Sequence, residues 1–531
     1  MSKVKEYLKE NYILVIAFAV ASIAEVVVFW PTMCADYLSY DSSYQYALTQ
    51  HTVSEIWQLL PYDYSPPFYA IALKLYCNIF GTSLLAMRSF SLFAFVGIYF
   101  MSTFPMNALF GKKSALVCLV MTFSTKNILN TSHEIRPTIY AFFFFIAVAV
   151  YAGIVFYQGK RYAYICLTVF SVLAMYTHNF SLVGTFSIYI VLLLFMLFKK
   201  EWKKLRNVFI SGCICAVLYI PWLGVILSQI SNVQSHYWET SCGFSDVLSW
   251  IFTDYKNSYS NNLISDIISL MISILLALVL FKHIDFKKLK GAKTFKGVVR
   301  FAADKSVYTN ILFLLLCLVL SIVIMEFVSI FMHNIRSQRY YYIFAMMWIV
   351  ILSAIIGNLG DKACCAIFSV LMVVNHIMNI AYVNEKIKNA DMTEIVEEVN
   401  KRNPDGNVCF VHFHEHSLGI MCYYFPEADH YVCDETFTVL RTYDVFPSNV
   451  VYVGGVDNIW NYTDSFYMFK NKWKSSHDQA FLVDELERMN DNEIIDIDAY
   501  KMPFEIFGKD FDFAEAVYTG EKTTDKTEVT Q

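Results

Sequence analysis

TSHEIRPTIYAFFFFIAVAVYAGIVFY, residues 131–157, decides the fold. Its first six residues carry His133, Glu134 and Arg136, and from Pro137 to Tyr157 no charge interrupts an apolar run. An α-helix rises about 1.5 Å per residue, so about 20 such residues cross the roughly 30 Å hydrocarbon core of a bilayer. A charged edge that runs straight into a membrane helix puts polar chemistry at a membrane lip. Pro137 suits a helix start, where its missing N–H is no loss. Arg136 beside the unpaired N–H groups of a helix start makes an anion site. Glu134 either pairs with it or holds an acceptor; a plain interfacial ion pair is the alternative.

Ten further runs share this character: 11–30, 84–110, 114–132, 161–178, 179–198, 207–230, 261–281, 308–332, 338–358 and 362–382. The fold class expected is an all-α polytopic membrane domain of about 11 transmembrane helices. Composition agrees: 56% apolar and 16% charged residues, against roughly 25% charged in a soluble chain. Mean hydropathy is +0.44. A disordered chain is excluded, and so is a nucleic-acid partner, since no basic stripe lies on a soluble surface. The first run is too long for a removed signal peptide and lacks a small-residue cleavage site. Thirteen Cys are too sparse for a disulfide scaffold. Cys34, Cys242, Cys409, Cys422 and Cys433 fall in polar stretches, and sequence does not set their pairing.

Charge divides the chain. Residues 385–531 hold 13 Lys+Arg and 29 Asp+Glu, a net of −16; residues 1–384 hold 28 and 17, a net of +11. This predicts a membrane domain over 1–384, a small soluble α/β domain over 385–520 and a disordered tail over 521–531. In the soluble part, Met392, Ile395, Val396 and Val399 predict an amphipathic helix, and 407–413 and 450–453 predict strands. Pro404-Asp405-Gly406 reads as a turn.

Short-loop cations orient the helices. With the N-terminus cytoplasmic, inner loops hold Lys112/Lys113, Lys160/Arg161, five cations from Lys199 to Arg206, and eight from Lys282 to Lys305. The outer loop 31–65 has none, and 231–260 has only Lys256. The registration requires 66–82 to be a re-entrant or interfacial helix, and it puts the C-terminal domain outside the cell. Glu25, Arg88, Lys126, Asp266, Glu326, Arg339, His178 and His376 then all fall in the outer halves of their runs. Ionisable groups inside a membrane mark function by default, so these predict a wet outer cavity above an apolar seal. For any one of them, snorkelling is the alternative.

Two more outer segments carry chemistry. The loop from Asp36 to Ala47, crowded with Tyr and ending at Tyr62-Asp63-Tyr64-Ser65-Pro66-Pro67, contains Asp41. A carboxylate with no nearby cation at a cavity lip is a candidate general base; Asp followed by Ser also suits a helix cap. His333–Tyr342 supplies Arg336 and Arg339, and guanidinium forks suit phosphate. His412 and His414 alternate on the expected strand and are the candidate metal ligands, the less favoured reading. No cofactor is otherwise called for.

The order of these pieces carries a resemblance. Pro66–Arg88 reads PP-F-Y-x4-K-L-x4-FG-x-S-x4-R; His133–Ala141, Met175–Phe180 and Arg339-Tyr340 follow. Together, over roughly 10–350, they resemble the bacterial membrane glycosyltransferases of the GT-C superfamily, in the protein O-mannosyltransferase-like and aminoarabinose transferase-like (family 39-type) group. The resemblance implies an inverting enzyme of the cell membrane, using a polyprenyl-phosphate sugar donor on the outer face. It implies an acidic pair in the first outer loop whose first member activates the acceptor. Here the pair is Asp41-Ser42, so Asp41 is the expected base and the second acid is replaced. The Lys that some relatives carry before Pro-Pro is Ser65. Donor phosphate is then expected on Arg136, Arg339, Arg88 and Lys74, and acceptor or sugar on Glu134, His133, Tyr140 and His178. The acceptor is a lipid, a glycan or a protein. A non-enzymatic lipid-linked sugar flippase is the rival, and it would need polar residues in the inner halves. A polymerase or ligase with a lipid diphosphate donor is a third reading.

Overall fold

The computed structural model describes residues 6, 9–63, 65–125, 128, 131, 134–236, 242–252, 263–282, 305–331, 335–389, 391–412, 415–433, 441–447, 449–471, 495–496, 501–506 and 509–518. Each of the eleven expected runs contains a helix among its described residues. They are α1 (Tyr12–Cys34), α5 (Leu84–Phe110), α6 (Lys112–Ser124), α7 (Thr138–Gln158), α8 (Arg161–Thr177), α9 (Asn179–Phe198), α10 (Trp202–His236), α12 (Leu263–Phe281), α13 (Lys305–Phe331), α14 (Gln338–Leu359) and α15 (Lys362–Asn389). Between α1 and α5 lie α2 (Tyr40–Thr49), α3 (Val53–Leu59) and α4 (Phe68–Phe80), and α11 is Phe244–Phe252.

Among the described residues, eight of the eleven are long and apolar enough to cross a bilayer. Within those residues α6 and α8 have 13 and 17 residues, and the apolar stretch of α12 is Leu270–Val279. The chain is a multi-pass membrane protein. α7 lies at its centre, almost wholly buried between α5, α8 and α14. Outer helices present apolar faces instead: Ile13, Ile16, Val20, Ile23 and Val27 of α1 are exposed. Such a stripe would be a liability in water and suits lipid. α4 is about 20 Å long at 1.5 Å per residue, too short to span, as the re-entrant or interfacial reading requires. Leu75, Ile79 and Phe80 are exposed on it, while Tyr69, Ala70, Leu73 and Cys77 face the bundle.

The boundary expected at 384/385 falls inside α15, which continues unbroken to Asn389. Apolar packing crosses the boundary too. Phe29, Met33 and Tyr37 share one buried cluster with Val383, Ile387, Ile395, Val399 and Phe410. Beyond α15 come α16 (Thr393–Arg402), β1 (Cys409–His412), α17 (Glu415–Tyr424), β2 (Asp429–Val432), β3 (Val450–Tyr452), β4 (Ser465–Asn471), β5 (Ile495–Asp496), β6 (Lys501–Ile506) and β7 (Lys509–Tyr518). The strand order is β3-β2-β1-β4-β7-β5, with β6 also paired to β7. The first four strands run parallel; β7 is antiparallel to β4, β5 and β6. This is the expected α/β region, with the amphipathic helix and both strands in place. Gly406 closes the expected turn at φ +78°, a conformation that favours glycine. The tail 521–531 lies outside the described residues.

Candidate active site

Ser39 caps α2: its hydroxyl accepts from Ser42 N at 3.3 Å. Asp41 is therefore not the cap. It stands in the first turn, where a negative charge is favourable to the helix dipole. Arg136 stands two residues before α7, next to the Pro137 N-cap. The two meet: Arg136 Nη1 lies 2.9 Å from Asp41 Oδ2, both side chains about 30% exposed.

Glu134 fixes this meeting from below. Its Oε2 accepts from Ser39 Oγ at 2.5 Å and from Ser42 Oγ at 3.0 Å, and Ile135 N donates to Ser42 Oγ at 3.0 Å. Glu134 itself is buried, so these hydroxyls offset the cost of an unsolvated carboxylate. The Ser42 that replaces an expected second acid thus acts as a hinge pin between α2 and the 134–136 segment. Asp63 also lies in the field of Asp41 and Arg136, and burial pushes its carboxyl up to about 7. Arg136 feels Asp41, Glu134, Asp63 and Tyr340. Tyr340 stacks on Phe180, ring centroids 4.2 Å apart, and has His178 6.5 Å away. His178 ends α8 and caps α9, accepting from Phe180 N at 3.3 Å.

Asp41, Glu134 and Arg136 thus meet at one junction, with His178 in the field of Arg136. Arg339 is exposed in the first turn of α14, next to Tyr340. His133 lies outside the described residues. Three expected site residues have other work. Arg88 is buried and donates from Nη1 to the carbonyls of Thr32, Met33 and Ala35 at 3.1, 3.1 and 2.7 Å, and from Nη2 to Tyr37 O. It caps the C-terminal end of α1, whose last carbonyls have no partner within the helix. Lys74 Nζ donates to Thr49 O at 2.7 Å, pinning the end of α2 to α4. Tyr140 donates to Phe90 O at 2.9 Å and stacks on the Phe90 ring at 4.7 Å, inside an aromatic layer with Tyr69 and Phe144.

Several other ionisable residues within the runs have surroundings of their own. Glu25 accepts from Tyr99 OH, and His376 is buried against the Phe123 ring at 4.4 Å. Glu326 accepts from Arg336 Nε and Nη2 at 3.0 and 2.8 Å and from Tyr341 OH at 2.8 Å. These groups stitch helices to one another, which is how a bilayer tolerates polar side chains. Lys126 lies outside the described residues, as does the side chain of Asp266. The candidate metal ligand His412 bonds Ser417 Oγ at 2.9 Å and His430 Nδ1 at 3.0 Å, and His414 lies outside the described residues. Asp63 was passed over in the sequence although it sits in the tyrosine-rich loop. The signal for it was the same as for Asp41, a carboxylate with no Lys or Arg between residues 31 and 65.

No family model and no curated protein matches the sequence. Solved structures do. The chain is similar to ArnT from Cupriavidus metallidurans, solved bound to undecaprenyl phosphate, with a TM-score of 0.55 and 11% identity over 95% of this chain and 98% of that one. It is also similar to the arabinofuranosyltransferase AftD from Mycobacteria, with a TM-score of 0.51 and 11% identity over 96% of this chain and 40% of that one. Both are GT-C superfamily membrane glycosyltransferases, and their fold is the fold of this chain.

Proposed function

We propose that this chain transfers a sugar from a polyprenyl-phosphate donor to an acceptor on the outer face of the cell membrane, with inversion at C1. The observation that carries the reading is the Arg136–Asp41 pair at 2.9 Å, set where a membrane helix begins. The fold shared with ArnT, seen with undecaprenyl phosphate, supports the lipid class of the donor. The isoprenoid chain stays among the exposed apolar helix faces while the sugar head reaches the polar junction.

The chemistry needs few groups. Phosphate is a competent leaving group, so no strong acid is required. A base must take the acceptor proton, and cations must hold the charge that grows on phosphate as the C1–O bond breaks. Arg136, at the positive end of α7, fits the cation role, and Arg339 stands beside Tyr340 as a second. The carboxylates around Arg136 fit the base role. Glu134, tied to Ser39 and Ser42, holds the Asp41-bearing helix to the cation-bearing segment.

The test is transfer in vitro with a panel of polyprenyl-phosphate sugars, comparing wild type with Asp41→Asn and Arg136→Ala. Transfer from one or more donors is expected. Arg136→Ala should lose on the order of 10²-fold or more in rate. Wild-type protein that moves labelled lipid-linked sugar across vesicles without transferring it would establish the flippase reading instead.

A further inference from the structure

The turn between Leu60–Tyr62 and Pro66-Pro67 brings a second outer carboxylate to the Asp41–Arg136 pair. Asp63 is part-exposed as a residue, yet its Oδ2 is sealed from solvent and has no hydrogen-bond partner among the described residues. Four groups face it. Asp41 on α2 opposes its ionisation; Arg136 ahead of α7 and a side-chain hydrogen bond from Ser65 in its own loop favour it; Tyr44 on α2 lies in its field, with Asp444 from the C-terminal domain acting on the same tyrosine. Arg136 is therefore one guanidinium among Asp41, Asp63 and Glu134.

The two aspartates are not equivalent. Asp41 is engaged in an ion pair with Arg136 at 2.9 Å. A buried carboxylate oxygen without a donor is costly, and a native site retains such a group where function needs it. Burial also brings Asp63 to about 7, the range in which a general base works best near neutral pH.

We propose that Asp63 is the catalytic group that takes the proton from the acceptor hydroxyl, and that Asp41 is a positioning residue that aims Arg136. The inference rests on the transferase reading. In the step, the acceptor oxygen attacks C1 and forms the new C–O bond, and its proton passes to the Asp63 carboxylate. The C1–O bond to phosphate breaks with its electron pair on the phosphate oxygen, beside Arg136. One carboxylate charge is neutralised and one phosphate charge appears.

The experiment measures kcat/KM against pH on the full-length protein in lipid nanodiscs, using whichever polyprenyl-phosphate sugar the panel identifies. Wild type should show an acid limb with a midpoint near 7. Asp63→Asn should fall by on the order of 10²-fold or more, lose that limb, and still bind undecaprenyl phosphate as wild type does. Asp41→Asn should keep the limb and lose mainly through a higher KM for donor. Asp63→Glu, which keeps a carboxylate, should retain a limb with a moved midpoint. Wild-type rate and limb in Asp63→Asn would overturn the assignment, as would an unmoved limb in Asp63→Glu if the Asn variant fails to fold. Wild type inactive with every donor would instead sink the transferase reading itself.

Discussion

Tyr424 donates a hydrogen bond to Asp36 Oδ1 at 2.9 Å across 388 residues of sequence. Met392 N donates to the Asp36 carbonyl at 2.7 Å, so one residue just beyond α1 is held twice by the C-terminal region. The contact continues along α2: Tyr423 meets the Tyr46 ring at 4.7 Å, Phe446 meets Tyr44 at 6.4 Å, and His51 Nε2 bonds Val445 O at 2.9 Å. The C-terminal region therefore roofs the helix that carries Asp41. Burial pushes the Asp36 carboxyl up, and the Tyr424 hydroxyl pulls it back.

Tyr424→Phe tests that clamp. It leaves Asp36 half-buried without its donor, which should destabilise by about 1–3 kcal/mol. A lower melting temperature in detergent, together with faster proteolytic release of the region beyond residue 389, is the expected result. An unchanged melt would show that the clamp is idle.

Gly419 supplies a second lever on the same contact. A Cβ there would fall inside van der Waals distance of Ser43 Oγ and 3.2 Å from Ser43 Cβ. Ser43 Oγ is already committed to Tyr40 O at 2.7 Å, so it has little room to yield. Gly419→Ala should push α17 off α2 at about 1–3 kcal/mol and lower turnover through misplacement of Asp41. Under the transfer assay a rate equal to wild type would refute the coupling.

Arg88 should behave as a structural residue. Arg88→Ala orphans four carbonyls at the end of α1 and should destabilise by on the order of 3 kcal/mol. Arg88→Lys, with one point of charge in place of a fork, should restore little. The expected pattern is poor yield of folded protein with near-normal turnover per folded molecule. A selective loss of donor binding at full stability would return Arg88 to the phosphate set.

Acid sensitivity is expected from a buried histidine chain. Phe425 O only accepts, so His430 carries its proton on Nε2 (3.0 Å) and its Nδ1 accepts from His412 Nε2. His412 Nδ1 then accepts from Ser417 Oγ at 2.9 Å. Burial holds His430 down to about 4, against an ordinary 6.5. The unfolded chain thus binds more protons between pH 6.5 and 4, and stability falls as pH drops through that window. The loss should reach on the order of 3 kcal/mol at its lower end. Melting curves at pH 7.5 and 4.5 measure it. His430→Leu should melt lower at pH 7.5 and change less with pH; an undiminished pH response would refute the chain's role.

Run length and hydropathy settled the helices, because a bilayer leaves an apolar stretch of 20 residues few alternatives to a helix. Each of the eleven runs holds a helix among the described residues for that reason, and so does the short segment after Pro66-Pro67. Arg136, Glu134 and Asp41 were legible as charges at a membrane lip. Their partners were not, since an ion pair depends on distance in three dimensions and 95 residues separate Asp41 from Arg136 in the chain. Sequence likewise made Arg88 look like a ligand, because a charge in an apolar run has the same appearance whether it meets a substrate or a neighbouring carbonyl. Only packing told them apart: Arg88 lies against the frayed end of α1, while Asp63 keeps a buried oxygen that nothing in the described chain satisfies.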